Sequence, residues 1–270
     1  MQIHEWIHDA SQQLTKAGIG TAKLDAELIL SHTLRKNRTW LHAYRDEEVS
    51  SRHRDIADAR LALRLDRVPL AYIIGHKEFY GRRFDVTPSV LIPRPESETL
   101  VELVKELAPD SRMRLVDVGT GSGCLGITLK LERPAFDVTL LDTSRYALTV
   151  ATRNAQKLDA QVHVLKSDLL NNYAPTPDII VANLPYVDES WERSPETDHE
   201  PAEALFAADG GLRLIAQLIE QAGARLRPDG LLLLEADPVQ HASIVSVAAA
   251  HGLTNVRTEG YAVVLQKHYS

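Results

Sequence analysis

The chain has 270 residues, 44% of them hydrophobic and 25% charged, which suits one large domain or two unequal ones and excludes a disordered or fibrous chain. A single cysteine excludes a disulfide framework and a cysteine-based zinc site, and fits a reducing cytoplasm. The net charge of −7 disfavours a protein whose affinity rests mainly on phosphate contacts. No apolar run approaches the roughly 20 residues of a bilayer span. The start, MQIHEWIHDA, shows no basic stretch followed by an apolar core, so no signal peptide is expected.

Residues 1–70 carry 11 Lys+Arg against 10 Asp+Glu, and the other 200 carry 19 against 27. That break in charge predicts two modules. In the first, Ile3, Trp6, Ile7, Ala10 and Leu14 fall at helical spacing, and Gly18 and Gly20 end the run. A second helix follows Thr21 with Leu24, Leu28 and Leu34 as its apolar positions. A third begins near Ser50 or Ser51, carries Ile56, Ala59, Leu63 and Leu65, and stops at Pro69. Residues 1–70 thus read as a small helical bundle.

Residues 71–92 read as a hairpin connector, with Ala71–Ile74 and Arg83–Val86 flanking Phe79-Tyr80-Gly81. A helix over about 96–108 follows two prolines and has two acids in its first turn. From Arg114 onward strands and helices alternate. Strands are predicted over Arg114–Val118, Asp137–Leu141, Val162–Leu165, Ile179–Ala182 and Leu231–Glu235, with two more over Thr254–Glu259 and Tyr261–Gln266. Helices are predicted over 123–132, 144–158 and 210–226. This is the pattern of an α/β domain, residues 93–270, with a mostly parallel sheet covered on both faces.

The first of these strands runs into Gly119-Thr120-Gly121-Ser122-Gly123. Such a loop lets backbone approach a ligand, and the helix that follows offers free amides. Asp142 ends the next strand, where a carboxylate can accept hydrogen bonds from ribose hydroxyls. Asp168 follows the third strand, within reach of an adenine amine. Gly121-x-Gly123-x-x-Gly126 also satisfies the dinucleotide fingerprint, so a nicotinamide cofactor and S-adenosylmethionine compete at this point.

The fourth strand decides between them. It delivers Asn183-Leu184-Pro185-Tyr186 to its carboxyl end. A planar NH2 group needs two in-plane acceptors, and the Asn183 side chain and the Leu184 carbonyl supply them. Pro185 stiffens the turn, and Tyr186 offers an aromatic face for a flat amide or base. A dehydrogenase has no use for this set, whereas an amino-group methyltransferase does.

The order VDVGTGSG, LLDTS, SDLL, VANLPY, RPDGLLLLE resembles class I S-adenosylmethionine-dependent methyltransferases. The stretches PLAYIIGHKEFYG (69–81), VLIPRPESE (90–98) and HEPAEALFAADGGL (199–212) are more specific, and with them nearly the whole chain resembles the bacterial release factor glutamine N5-methyltransferases. The resemblance implies a seven-stranded, mostly parallel, Rossmann-like sheet with its last strand antiparallel, and a helical module that grips a protein substrate. It implies that Gly119–Gly123, Asp142, Asp168, Leu169 and Asn183 bind S-adenosylmethionine, and that Asn183, Leu184, Pro185 and Tyr186 hold the substrate glutamine. No metal is implied. The partner implied is a release factor met by a cytoplasmic monomer, with neither nucleic acid nor membrane bound directly. Three positions depart from the family: Leu184 replaces the first proline of Asn-Pro-Pro-Tyr, Ser97 stands where threonine is usual, and Leu169 where an aromatic often lies against adenine. Asn-Leu-Pro-Tyr also occurs in adenine N6-methyltransferases of RNA or DNA, which is the alternative reading.

Weaker signals remain. His4-Glu5-Trp6-Ile7-His8 fits the H-E-x-x-H zinc pattern but has only three residues before it. Cys124 reads as a packing residue, Arg94 as either a cofactor contact or a turn cap, and Glu200 as either a support for the Asn183 loop or a surface ion pair.

Overall fold

The computed structural model describes residues 1–268. Their contacts divide into two compact units, Met1–His76 with Arg193–His199, and Lys77–Glu192 with Glu200 onward.

The first unit contains α1 (Ile3–Lys16), α2 (Ala22–Leu34), α3 (Arg38–Ala43), α4 (Ser51–Leu65) and α5 (Leu70–Ile74). The face of α1 is as the spacing predicts, with Ile3, Trp6, Ala10 and Leu14 buried. The other two faces are rotated from expectation. On α2, Ala22, Ala26, Ile29 and Leu30 are buried, while Leu24 is exposed. On α4, Ala57, Leu61 and Arg64 point inward, and Ile56 and Leu63 are exposed. Charge pairing explains both shifts. Asp25 is buried on α2 because the Arg64 Nε donates to it at 2.7 Å, and Glu27 because Arg38 donates to it. Paired charges can occupy an inward face that hydropathy alone gives to leucine. In the same unit Arg64 and Arg67 donate to Glu196 of the 193–199 segment, at 3.0 and 3.4 Å.

Ala71–Ile74, predicted as a strand, is the short helix α5. Pro69 at its N-cap and Gly75 in the left-handed region at its C-cap give it the punctuation of a helix. The hairpin lies just beyond, as β1 (His76–Phe79) and β2 (Arg82–Asp85). Tyr80 and Gly81 both have positive φ, as a two-residue hairpin turn requires.

The second unit continues with α6 (Glu98–Leu107), β3 (Arg114–Val118), α7 (Cys124–Glu132), β4 (Asp137–Asp142), α8 (Arg145–Lys157), β5 (His163–Lys166) and β6 (Ile179–Ala182). After these come α9 (Ala202–Leu205), α10 (Arg213–Arg225), β7 (Leu231–Glu235), α11 (His241–Ala250), β8 (Leu253–Glu259) and β9 (Ala262–Lys267). Seven strands form one sheet in the order β5-β4-β3-β6-β7-β9-β8. The pairs among β3 to β7 are parallel, and β9 runs antiparallel to β7 and β8. Alternation along the strands sends Leu115, Ile179 and Val181 into a core with α6, α7 and α8. Val116, Val118 and Ile180 enter a second core with α10 and α11. Helix α11 is absent from the sequence reading because HASIVSVAAA, with His241, Ser243 and Ser246 spread among its apolar residues, shows no stripe. No helix among the described residues is long and apolar enough to cross a membrane.

Candidate active site

Strand order in the sheet reverses between β3 and β6, since β4 and β5 lie to one side of β3 and β6 and β7 to the other. Open α/β sheets hold ligands at such a point, outside the carboxyl ends of the strands. A cavity lies there. The glycine loop after β3, Asp142 at the end of β4, Asp168 and Leu169 after β5, and Asn183, Leu184 and Pro185 after β6 all line it.

The loop is pinned by buried hydrogen bonds. Asp117 of β3 accepts from the Thr120 hydroxyl at 2.6 Å and from the Gly126 amide at 2.9 Å. Burial pushes this carboxyl up to about 6 against those two bonds. Gly126, the third glycine of the fingerprint, thereby ties α7 to β3. The Thr120 amide donates to the Leu141 carbonyl, and the Gly121 amide to Asp142 Oδ2 at 2.9 Å. The other oxygen of Asp142 accepts from the Ser144 amide at 2.8 Å. Asp142 therefore does two things: it fixes the glycine loop, and it still presents carboxylate lone pairs on the cavity wall. Burial raises its pKa as well.

Gly119, with φ of +71°, sits where the two loops meet. A β-carbon there would stand 2.8 Å from Leu184 Cδ2, so a side chain at 119 would push the Leu184 side chain aside and would be strained by the positive φ. Leu184 is itself buried. Gly123 and Tyr186 are not among the lining residues. The Gly123 amide closes a turn on the Thr120 carbonyl, and the Tyr186 hydroxyl donates to Glu235 Oε1 at 3.2 Å.

Asn183 is held by a chain of polar contacts. Its Nδ2 donates to Ser97 Oγ at 3.0 Å, and Ser97 Oγ–H donates to Glu235 Oε2 at 2.5 Å. Ser97 and Glu235 are both almost fully buried, and burial pushes the Glu235 carboxyl up. Sequence reasoning gave Glu235 no role. The signal was a lone carboxylate closing the apolar strand LLLLE at the ligand end of the sheet. Gln240 was also missed; its Nε2 holds the Tyr186 and Gly210 carbonyls at 2.8 and 2.7 Å.

Glu200 is a buried ion-pair partner. It accepts from Arg94 Nη2 at 2.5 Å and from the Ile92 amide at 3.0 Å, and Arg94 lines the cavity. Burial pushes the Cys124 thiol up to about 12, which leaves it protonated at neutral pH. His4 bonds the Arg45 carbonyl and His8 bonds Gln12. No group of three or more metal-ligating side chains occurs among the described residues.

The sheet order and this site define a class I methyltransferase. The solved structure of a 16S rRNA N2 G1207 methyltransferase from T. thermophilus has the same fold, with a TM-score of 0.54 at 21% identity over 72% of this chain and 50% of that one. The PrmC N-terminal domain model matches residues 5–75, and the Methyltransferase small domain model matches 96–207. A release factor glutamine methyltransferase of Koribacter versatilis is 41% identical over 88% of this chain and 89% of its own length. That of Coxiella burnetii is 37% identical over 95% and 93%. The chain belongs to the release factor glutamine methyltransferase family.

Proposed function

We propose that the chain methylates the side-chain amide nitrogen of a glutamine in a peptide chain release factor, using S-adenosylmethionine in the cytoplasm. The products are N5-methylglutamine on the protein and S-adenosylhomocysteine. The observation that carries this reading is the placement of Asn183 and Leu184 on the wall of the cavity that the glycine loop also lines.

The residues present fit the cofactor. Gly119, Thr120, Gly121 and Ser122 line the cavity with Asp142 and Asp168; in this reading the glycine loop offers backbone to the cofactor, Asp142 accepts hydrogen bonds from the ribose hydroxyls, and Asp168 meets the adenine amine. When bound, S-adenosylmethionine supplies an electrophilic methyl group.

A carboxamide nitrogen is a poor nucleophile because its lone pair is delocalised. Asn183 Oδ1 and the Leu184 carbonyl accept its two N–H bonds and fix the direction in which the nitrogen faces. These two dipoles favour positive charge growing on nitrogen, and orientation supplies much of the remaining acceleration. The proton leaves late, to water or a carbonyl. Tyr186 donates to Glu235 and supports the turn from behind the cavity wall.

Residues 1–70 recognise the release factor. A protein substrate needs about 800 Å² per partner in a standard interface, more than a cleft built for one side chain provides. The test is incubation with labelled S-adenosylmethionine and cell extract, followed by mass spectrometry of the labelled macromolecule. Label on a release factor glutamine supports the reading, and label on adenine in nucleic acid replaces it with the N6-methyltransferase alternative.

A further inference from the structure

We infer that Ser97 and Glu235 are positioning residues that set which end of the Asn183 carboxamide meets the substrate amide; this rests on the function proposed above.

The argument is one of hydrogen-bond polarity. An asparagine side chain has a donor end and an acceptor end of nearly equal size, and a half-turn about its last bond exchanges them. Substrate NH2 carries only donors in its plane. It meets an acceptor only if Asn183 presents Oδ1 and keeps Nδ2 away. Nothing in Asn183 itself selects that orientation.

The selection comes from two buried groups on other elements. Ionised Glu235, at the end of β7, can only accept. Its Oε2 receives the Ser97 hydroxyl at 2.5 Å, and its Oε1 receives the Tyr186 hydroxyl at 3.2 Å. With the Ser97 hydrogen committed to Glu235, its lone pairs face Asn183. Only Nδ2 satisfies them, and it does so at 3.0 Å. The opposite orientation would set Oδ1 against the Ser97 lone pairs and leave a buried mismatch. One carboxylate thus orients both the first and the last residue of Asn183–Tyr186. Ser97 is the residue just before α6, so three separate segments converge on one amide.

The test compares Ser97→Ala, Ser97→Thr and Glu235→Gln with the wild-type enzyme on intact release factor. All variants are first checked for folding by circular dichroism and for S-adenosylmethionine affinity by calorimetry. Glutamine at 235 both donates and accepts, so it no longer dictates the direction of the Ser97 hydroxyl. Ser97→Ala and Glu235→Gln should lower kcat about 10-fold or more, the scale of a lost orienting hydrogen bond. Cofactor affinity and KM should stay within about 3-fold for Glu235→Gln, because Glu235 is not among the cavity-lining residues; Ser97 is on the cavity wall, so its alanine variant is read by the kcat loss together with the Asn183 amide signal. Ser97→Thr keeps the hydroxyl and should retain near-normal kcat. The double variant should be no worse than the worse single one, because both act through Asn183.

A readout independent of activity is the side-chain 15N–1H pair of Asn183, one proton of which should show hydrogen bonding that Ser97→Ala abolishes. Wild-type kcat in folded Ser97→Ala, or an Asn183 amide signal unchanged by it, overturns the relay. If wild-type enzyme transfers no methyl to glutamine, the function proposed above fails, and the amide signal still decides whether the relay exists.

Discussion

Gly211 lies so close to the Asn183–Tyr186 turn that a β-carbon at 211 would stand 1.9 Å from the Tyr186 carbonyl oxygen. The same β-carbon would stand 2.6 Å from Gln240 Nε2, which holds that carbonyl. With φ at +82°, position 211 also disfavours any side chain. Gly211→Ala should destabilise the fold by about 2 kcal/mol or more through strain and displacement. It should lower methyl transfer more than cofactor binding. Thermal unfolding, calorimetry and turnover measured together check this; normal turnover would show that the turn tolerates the shift.

Asp142 joins the glycine loop to the cavity wall. Asp142→Ala removes the acceptor for the Gly121 amide along with the proposed ribose contact. S-adenosylmethionine binding should weaken by about 1–3 kcal/mol, the scale for bonds to charged groups. Calorimetry that finds unchanged affinity removes Asp142 from the cofactor site.

Asn183→Ala should leave cofactor affinity near normal and lower turnover about 100-fold or more, as for lost transition-state orientation. Stopped turnover with matching loss of cofactor binding would instead assign Asn183 to the cofactor.

Glu196 gives a pH test in the first unit. Burial pushes its carboxyl up, but bonds from the Ser194 hydroxyl, its own backbone amide and Arg64 outweigh this and hold it at about 2, against 4.5 unperturbed. A lowered carboxyl stabilises the fold at pH above 4.5, and that contribution is lost as pH falls through 2. Glu196→Gln should cost about 1–3 kcal/mol at pH 7. The gap to wild type should narrow steadily from pH 4.5 to pH 2. Unfolding curves with an equal gap at pH 7 and pH 2.5 would contradict the ion-pair account.

Backbone architecture was the most legible part of the sequence. All seven sheet strands lie within two residues of their predicted bounds, because alternating apolar runs and turn residues carry that information locally. What stayed hidden depended on partners far along the chain. Arg64 turns inward for Asp25, 39 residues away, and so shifts the faces of α2 and α4. Ser97 and Glu235 meet across 138 residues, a pairing that no spacing rule encodes. The glycine loop, Asp142 and the Asn183 turn could be read because each sits at a strand end, where a sequence pattern and a functional position coincide.

The central claim is the transfer of one methyl group to a glutamine side chain, and the direct measurement uses purified unmethylated release factor, the full-length chain and methyl-labelled S-adenosylmethionine. Peptide mapping by tandem mass spectrometry then locates the label. The account predicts one added methyl on a single glutamine side-chain nitrogen, absent when that glutamine is replaced and strongly reduced with Asn183→Ala. Label on a backbone, carboxylate or amine group, or no label from folded enzyme that binds the cofactor, would contradict it.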